Sequence, residues 1–357
     1  MIMIAEGNQA SRIDYLDVAK GIGIILVVWG HIVPVTYGIG LYIFSFHMPL
    51  FFLTSGILFY YKQNWRTDSF LTSLRSKIKG ILYPYIVFGV LTAAIYFVCG
   101  DRTTALQKLI VTLDCEGAMI LWFLPVLFVA EMLFILIAKY VKNIKIIFLI
   151  IAAMIAISFF FKTNAYESID NFILKNAMRF LYLLGKSVLA CIFLFAGYAF
   201  AWIRERLRSR LLLYWILMIA SFAANIICFR FNFVDVHSLT IGNPLLFYLN
   251  ALTGSFSIVA VSDLLLRHMT VLAFFGKNSL LVFATHMNFF IMQLSIDAAH
   301  AISNSAQDFV ALAITMLLEA VLIFVVNKDI KFLVSHREIE RWIASLKQRN
   351  AEKCSKE

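Results

Sequence analysis

Apolar stretches of membrane-spanning length alternate with short polar segments along almost the whole chain. A bilayer-spanning helix needs about 20 such residues. On that measure we read ten helical spans, at 18–37, 41–60, 80–99, 119–138, 146–161, 179–202, 211–229, 244–266, 279–297 and 306–326. The fifth is short. None of the stretches shows the ten-residue in–out alternation of a transmembrane β-barrel. The pattern therefore predicts an all-α fold, a polytopic transmembrane helical bundle. It places one membrane domain over 1–326 and leaves 327–357 as a basic tail too short for a core of its own.

Composition agrees. Of 357 residues, 62% are hydrophobic and 15% charged, against about half and a quarter in soluble domains. The net charge of +10 does not indicate nucleic-acid binding, because the cations sit in inter-helix loops and in the tail. With the N-terminus inside, 24 of the 31 Lys and Arg fall on the inner side and 6 on the outer, Lys186 lying within a span. This asymmetry predicts both termini in the cytoplasm. The block from Arg204 to Arg210 is its clearest inner marker. The tail from Arg337 to Lys356 is expected to rest against anionic membrane lipids. The first apolar run lacks a small-x-small cleavage site and is not expected to be a cleaved signal. The five cysteines have no metal-type spacing, although Cys99 and Cys115 share one loop region and could pair.

Candidate chemistry lies in the polar residues that interrupt the spans. In the first, Asp17 and Lys20 precede His31. Eleven residues at 100° each make three turns and 20°, so Lys20 and His31 share a helix face about 16 Å apart. Asp17, three residues before Lys20, is on the same side. Gly21, Gly23 and Gly30 let a backbone or a ligand approach closely. We read the face as a carboxylate and a cation at the rim with an imidazole at mid-depth.

Three more stretches follow. Around His47, Pro49 cannot donate to the Ser45 carbonyl, which predicts a kink with exposed backbone acceptors. Trp122 and Pro125 open the fourth span, and Glu131 lies in its middle, where it must be paired or protonated. Gly276-Lys277-Asn278-Ser279 precedes His286; a cap at Asn278 or Ser279 beside Lys277 makes a helix-terminus phosphate site. Lys186 and Glu319 are further charges within spans, suited to inter-helix pairs. Three histidines within spans, His31, His47 and His286, suggest one polar pocket fit for proton transfer. No HExxH, cysteine cluster or nucleophile elbow points to metal or serine-hydrolase chemistry.

These stretches resemble the integral-membrane acyltransferase family 3, in particular its fucose 4-O-acetylase-like branch. The likeness is carried by Arg12-Ile-Asp-Tyr-Leu-Asp-Val-Ala-Lys-Gly with His31, by Phe46-His-Met-Pro-Leu-Phe-Phe-Leu-Thr-Ser-Gly56, by Leu121-Trp-Phe-Leu, and by Gly276-Lys-Asn-Ser with His286. Lys20 stands where the family more often has arginine. The resemblance implies transfer of an acetyl group from acetyl-CoA to a hydroxyl of a glycan or lipid-linked sugar acceptor, in the bacterial inner (cytoplasmic) membrane. It implies that Lys20 and His31 are the essential pair.

We expect Asp17 to orient Lys20, and His31 to act as general base or transient acyl acceptor. His47, Trp122 and His286 are expected to shape the acceptor side, with Glu131 a weaker candidate. Arg204 to Arg210, residues 61–79 and Lys277 are expected to attract the donor. Buried His, Lys and Glu also suit a proton-coupled transporter or exporter of a sugar or other small molecule, but no internal repeat is visible. Another acyl donor such as succinyl-CoA, and a membrane-assembly protein without catalysis, are the remaining alternatives. The oligomeric state is left open, a homodimer included.

Overall fold

Proline decides where the first apolar stretch stops being helical. Helix α1 (Asp14–Ile32) ends two residues before Pro34, which lacks an N–H and pushes Val33 out of helical backbone. In the computed structural model, residues 14–36, 38–158, 171–302, 306–330, 333–334 and 336 are described. Arg12, Cys354 and the tail from Arg337 lie outside them.

Sixteen α-helices follow one another among these residues. After α1 come α2 (Gly38–Phe44), α3 (His47–Tyr61), α4 (Asn64–Thr67) and α5 (Phe70–Lys77). A π-helical turn, Ile78–Leu82, leads into α6 (Tyr83–Val98), and α7 (Arg102–Leu113) follows. A 3₁₀ turn, Met119–Trp122, opens α8 (Phe123–Tyr140), which precedes α9 (Ile144–Ser158), α10 (Phe172–Leu207) and α11 (Leu211–Cys228). The last are α12 (Pro244–Leu264), α13 (Thr270–Lys277), α14 (Ser279–Thr285), α15 (Ile291–Ile302) and α16 (Gln307–Asp329). No strand occurs among the described residues; Asp235 and Thr240 form one isolated antiparallel bridge.

The protein is an all-α polytopic membrane bundle. Eight helical segments are long and apolar enough to cross a bilayer, two fewer than the ten spans expected. The fifth expected span is α9, an apolar helix of 15 residues. The ninth is broken: α14 stops at Thr285, Phe290 takes a positive φ of 57°, and α15 starts afresh at Ile291. Irregular backbone at such a place is tolerated where it lines a protein cavity. His286 stands at that break.

Helix α1 is the centre of the bundle, packed against α13, α12, α3 and α16. A second seam joins α3 to α10, and α10 to α8. Both seams are made possible by glycine. A Cβ on Gly56 would strike the Leu194 carbonyl, and one on Gly197 the Leu53 carbonyl. Likewise a Cβ on Gly21 would meet the Leu272 carbonyl, and one on Gly276 the Asp17 carbonyl. The small residues of α1 therefore admit a neighbouring backbone, as in other membrane helix pairs. Aromatic rings fill the interior between α3, α8 and α10, with Phe59 4.7 Å from Phe134 and Phe134 4.7 Å from Phe195. Phe148, Leu212, Ile219 and Phe324 stay exposed on α9, α11 and α16, as lipid-facing side chains do.

The α1–α13 contact yields a stability prediction. Gly276→Ala forces α13 off α1 and costs about 1–3 kcal/mol, the usual penalty for overpacking. Gly80→Ala meets nothing within 4 Å and should leave the melting temperature of the purified protein unchanged. Equal melting temperatures for both variants would contradict this account of the seam.

Candidate active site

Three imidazoles meet near the end of α1. The His31 ring is 5.6 Å from His286 and 6.2 Å from Phe44, and Phe44 is 4.7 Å from His47. His31 sits in the last turn of α1, not at its middle, because the helix ends at Ile32. His47 is the first residue of α3, just past the break at Ser45–Phe46. His31, His47 and Trp122 line one cavity of about 260 Å³ together with Asp235 and His237, residues of the loop between α11 and α12, and Phe283.

Two of the imidazoles have a defined tautomer. His47 Nδ1 donates to the Ile43 carbonyl at 2.9 Å, and His286 Nδ1 to the Val282 carbonyl at 2.8 Å. A carbonyl only accepts, so each neutral ring keeps its proton on Nδ1 and turns Nε2 into an acceptor. His286 is wholly buried and its Nε2 has no hydrogen-bond partner among the described residues. With the ring proton on Nδ1, this nitrogen is an acceptor facing the interior of the bundle. Below it, the Thr285 hydroxyl lies 2.9 Å from both oxygens of the buried Glu319 carboxylate, tying α14 to α16.

A second cavity lies against the first, towards the end of the bundle that carries Lys20. Its wall includes Lys20, Phe51, Thr54, Ser55, Gly80 and Ser279, and Phe283 is common to both cavities. Lys20 Nζ is 3.2 Å from Asp17 Oδ1. Asp17 is 4% exposed, so its charge is committed to holding the lysine. The π-helical turn brings Gly80 and Ile81 to this wall; such turns often occur at functional sites. Ser55 and Leu58 are in turn shared between this cavity and another lined by Lys62 and Lys77.

At the opposite end, Met119, Trp122 and His237 are shared between the histidine cavity and a third, which is bounded by Lys108, Arg179 and Lys186. The loop that shapes it is tightly coiled: Cys115, Gly117 and Met119 all have positive φ, at 60°, 81° and 55°. A Cβ on Gly117 would hit the Trp122 amide nitrogen, so Gly117 permits the turn that carries Trp122 inward. The α11–α12 loop is stapled by its own side chains. Asn232 Nδ2 donates to the Ile241 carbonyl at 3.1 Å, and Asp235 Oδ2 accepts from the Ser238 hydroxyl at 2.7 Å.

One family model, described as an acyltransferase domain, matches residues 13–326, from α1 to near the end of α16. The chain belongs to membrane acyltransferase family 3. Neither the curated proteins nor the solved structures contain a match to it.

The acyltransferase gathers most of the residues singled out in its sequence around adjoining cavities. His31, His47 and Trp122 line the first and Lys20 and Ser279 the second, while His286 is in ring contact with His31. Trp122 is buried in the protein rather than held at a lipid interface. Glu131 belongs to the Lys20 end, not to the acceptor side. It accepts from Ser55 Oγ at 2.5 Å and pairs with Lys77 Nζ at 2.7 Å. That meets the requirement for pairing and joins α8 to α3 and α5.

Other expectations are corrected. Lys277 is exposed and absent from these cavity walls. Asn278 does not cap α14, since its amide donates to the Phe274 carbonyl at 2.8 Å and accepts from Asn327 at 2.9 Å. Helix α14, seven residues long, thus starts without a side-chain cap bond from Asn278. Pro49 lies in the first turn of α3, where its missing N–H is no loss. Cys99 and Cys115 are free thiols. Arg204 is not a surface cation: it is 3% exposed and bound to Asp263 through Nε at 2.6 Å and Nη2 at 2.7 Å.

Asp235, His237 and Phe283 are not singled out by the sequence, and Lys77 enters there only as one cation of residues 61–79. The α11–α12 loop did carry a signal. Asn232, Val234 and Val236 alternate as buried positions with exposed or half-buried ones between, a pattern of period two.

Proposed function

We propose that the acyltransferase moves an acetyl group from acetyl-CoA to a hydroxyl of a cell-surface or lipid-linked glycan. It would do so in the bacterial cytoplasmic membrane, with both termini inside, as a member of the fucose 4-O-acetylase-like branch. One observation carries the reading: Lys20 and His31, on one helix, open into two adjoining cavities that share Phe283. The Lys20 end carries Lys20 and, beyond it, Lys62 and Lys77, the first and last held by Asp17 and Glu131, ammonium groups that suit the anionic nucleotide end of a CoA thioester. The His31 end suits a sugar hydroxyl.

In the reaction the acceptor O–H attacks the thioester carbonyl. His31 takes the hydroxyl proton as the C–O bond forms. The C–S bond breaks, and the proton passes from His31 to the departing thiolate, so free CoA thiol and an acetyl ester result. In the second version of the same chemistry, His31 first accepts the acetyl group and then yields it to the hydroxyl. His47, with Nε2 as acceptor, orients a hydroxyl group in the same cavity, and His286, in ring contact with His31, backs the base from behind the wall. Two neighbouring imidazoles disfavour a second positive charge, so the proton is held by one ring at a time.

Lys20→Ala should raise the KM for acetyl-CoA about tenfold or more, as the loss of one charged contact does, with a smaller change in kcat. An unchanged KM would remove Lys20 from donor binding. The reading as a whole is tested by mass spectrometry of envelope glycans from cells with and without the gene. Loss of an acetyl mass supports it. Loss of a different acyl mass replaces the donor, and identical glycans overturn the proposal.

A further inference from the structure

The third cavity, past Trp122 from His31, is walled by three cations, Lys108, Arg179 and Lys186, and only one of them touches a carboxylate among the described residues. Arg179 is spoken for: it pairs with Asp114 at 3.1 Å and Glu116 at 2.9 Å. Two ammonium groups on the same wall are different. Lys108 Nζ rests 3.3 Å from the Met119 sulfur and 5.8 Å from the Tyr96 ring centre. Lys186 Nζ is 5.4 Å from the Trp122 ring centre, and Lys186 is only 8% exposed. Among the described residues, neither ammonium has a carboxylate oxygen within 4.0 Å. Glu116 and Asp235 act on Lys186 only at longer range. Burial without a compensating carboxylate also draws the Lys108 ammonium below the ordinary lysine value.

A buried cation normally has a counter-charge, because burying it alone costs several kcal/mol. A cation–π contact with Trp122 returns only about 2 kcal/mol of that when desolvated. The remainder fits a partner that arrives with the ligand. Trp122 is the wall between this cavity and the histidines, so an anion held by Lys186 belongs to the same molecule whose hydroxyl reaches His31.

We infer that the acceptor carries an anionic group, a carboxylate or a phosphate, and that Lys186 is its binding residue. This rests on the reading of the chain as a glycan acetyltransferase and narrows the acceptor to a charged class. A carboxylate would come from an acidic sugar. A phosphate would come from the linkage between a sugar and its lipid carrier.

The test uses the purified full chain in lipid nanodiscs and three probes: methyl glucoside, methyl glucuronide and glucose 1-phosphate. At least one anionic probe should bind about tenfold or more tightly than the neutral glucoside, the scale of one charged hydrogen bond. Lys186→Gln should erase that preference, and Lys186→Arg should retain most of it. Preference for the glucuronide alone assigns an acidic sugar; preference for glucose 1-phosphate alone assigns the carrier linkage. Equal binding of all three by the unmodified protein overturns the inference even where Lys186→Gln fails to fold. So does anion binding unaffected by Lys186→Gln. Acetyl transfer from acetyl-CoA in the same preparation is scored separately, so its absence would remove the acetyltransferase reading while leaving the anion site standing or falling on its own data.

Discussion

A well-folded His31→Ala protein should transfer acetyl groups at least a hundredfold more slowly than the unmodified chain. A positioned general base contributes about 10²–10⁴-fold. The loss should appear in kcat, with the KM for acetyl-CoA little changed, because Lys20 and the cations beyond it belong to a different cavity. Stability should be nearly untouched, since His31 is half-buried on a cavity wall and its truncation leaves no sealed void. His286→Ala is a contrasting variant. Its Nδ1 bond to Val282 helps shape the break after α14, so both rate and melting temperature should fall. Measured side by side, kcat and melting temperature separate the two roles. Normal turnover by His31→Ala would leave the histidine cavity without its proposed base.

The largest loss of stability should come from Asp263→Ala. Arg204 sits at the Lys20 end of the bundle, where it joins four other elements. Its Nη1 donates to the Tyr61 hydroxyl at 2.9 Å, its guanidinium lies 4.3 Å from the Tyr15 ring centre, and the Tyr214 hydroxyl is 3.4 Å from Asp263 Oδ2. Helices α1, α3, α10, α11 and α12 are thereby fastened together. Removing the carboxylate leaves a guanidinium that is 3% exposed with only the more exposed Glu205, 3.0 Å from Nη1, as its charged partner. Breaking a buried pair in this way costs about 3–5 kcal/mol. Replacing both members, as in Arg204→Met with Asp263→Leu, should recover much of the loss, because a packed apolar pair removes the buried charge that lost its bidentate partner. Thermal unfolding of the single and double variants in one detergent checks this. A double variant less stable than Asp263→Ala would show that the rest of the network, not the ion pair, holds these helices.

How much of this was legible in the sequence differs from helix to helix. The first span could be read closely, because a face defined by 3.6-residue periodicity is a local property. Asp17 and Lys20 form the pair their spacing implies, and Lys20 and His31 open into adjoining cavities. His31 comes in the last turn of α1, because Pro34 ends that helix earlier than apolarity suggests. The ninth span was misread for a related reason. Residues 279–297 are mostly apolar around His286, Asn288 and Gln293, yet the chain breaks where Phe290 adopts a positive φ of 57°, a tertiary choice that no glycine or proline there announces.

Charges were hardest to place. In Arg204-Glu-Arg-Leu-Arg-Ser-Arg210 four arginines look alike, but Arg204 alone faces Asp263, 59 residues away. Glu131 was recognised as needing a partner, while Lys77, 54 positions earlier, could not be identified as that partner. Each of these pairings is settled by how helices cross, which depends on glycines such as Gly56 and Gly197 admitting a neighbour's backbone.

The sidedness of the reaction tests the account most directly. Membrane vesicles of known orientation, carrying the full chain and its native glycan, are given acetyl-CoA labelled in the acetyl group. With the Lys20 end in the cytoplasm, as proposed, inside-out vesicles should place label on the glycan, and the same vesicles bearing His31→Ala should not. Intact right-side-out vesicles should remain unlabelled until they are opened. Equal labelling of intact right-side-out vesicles would contradict entry of the donor beside Lys20.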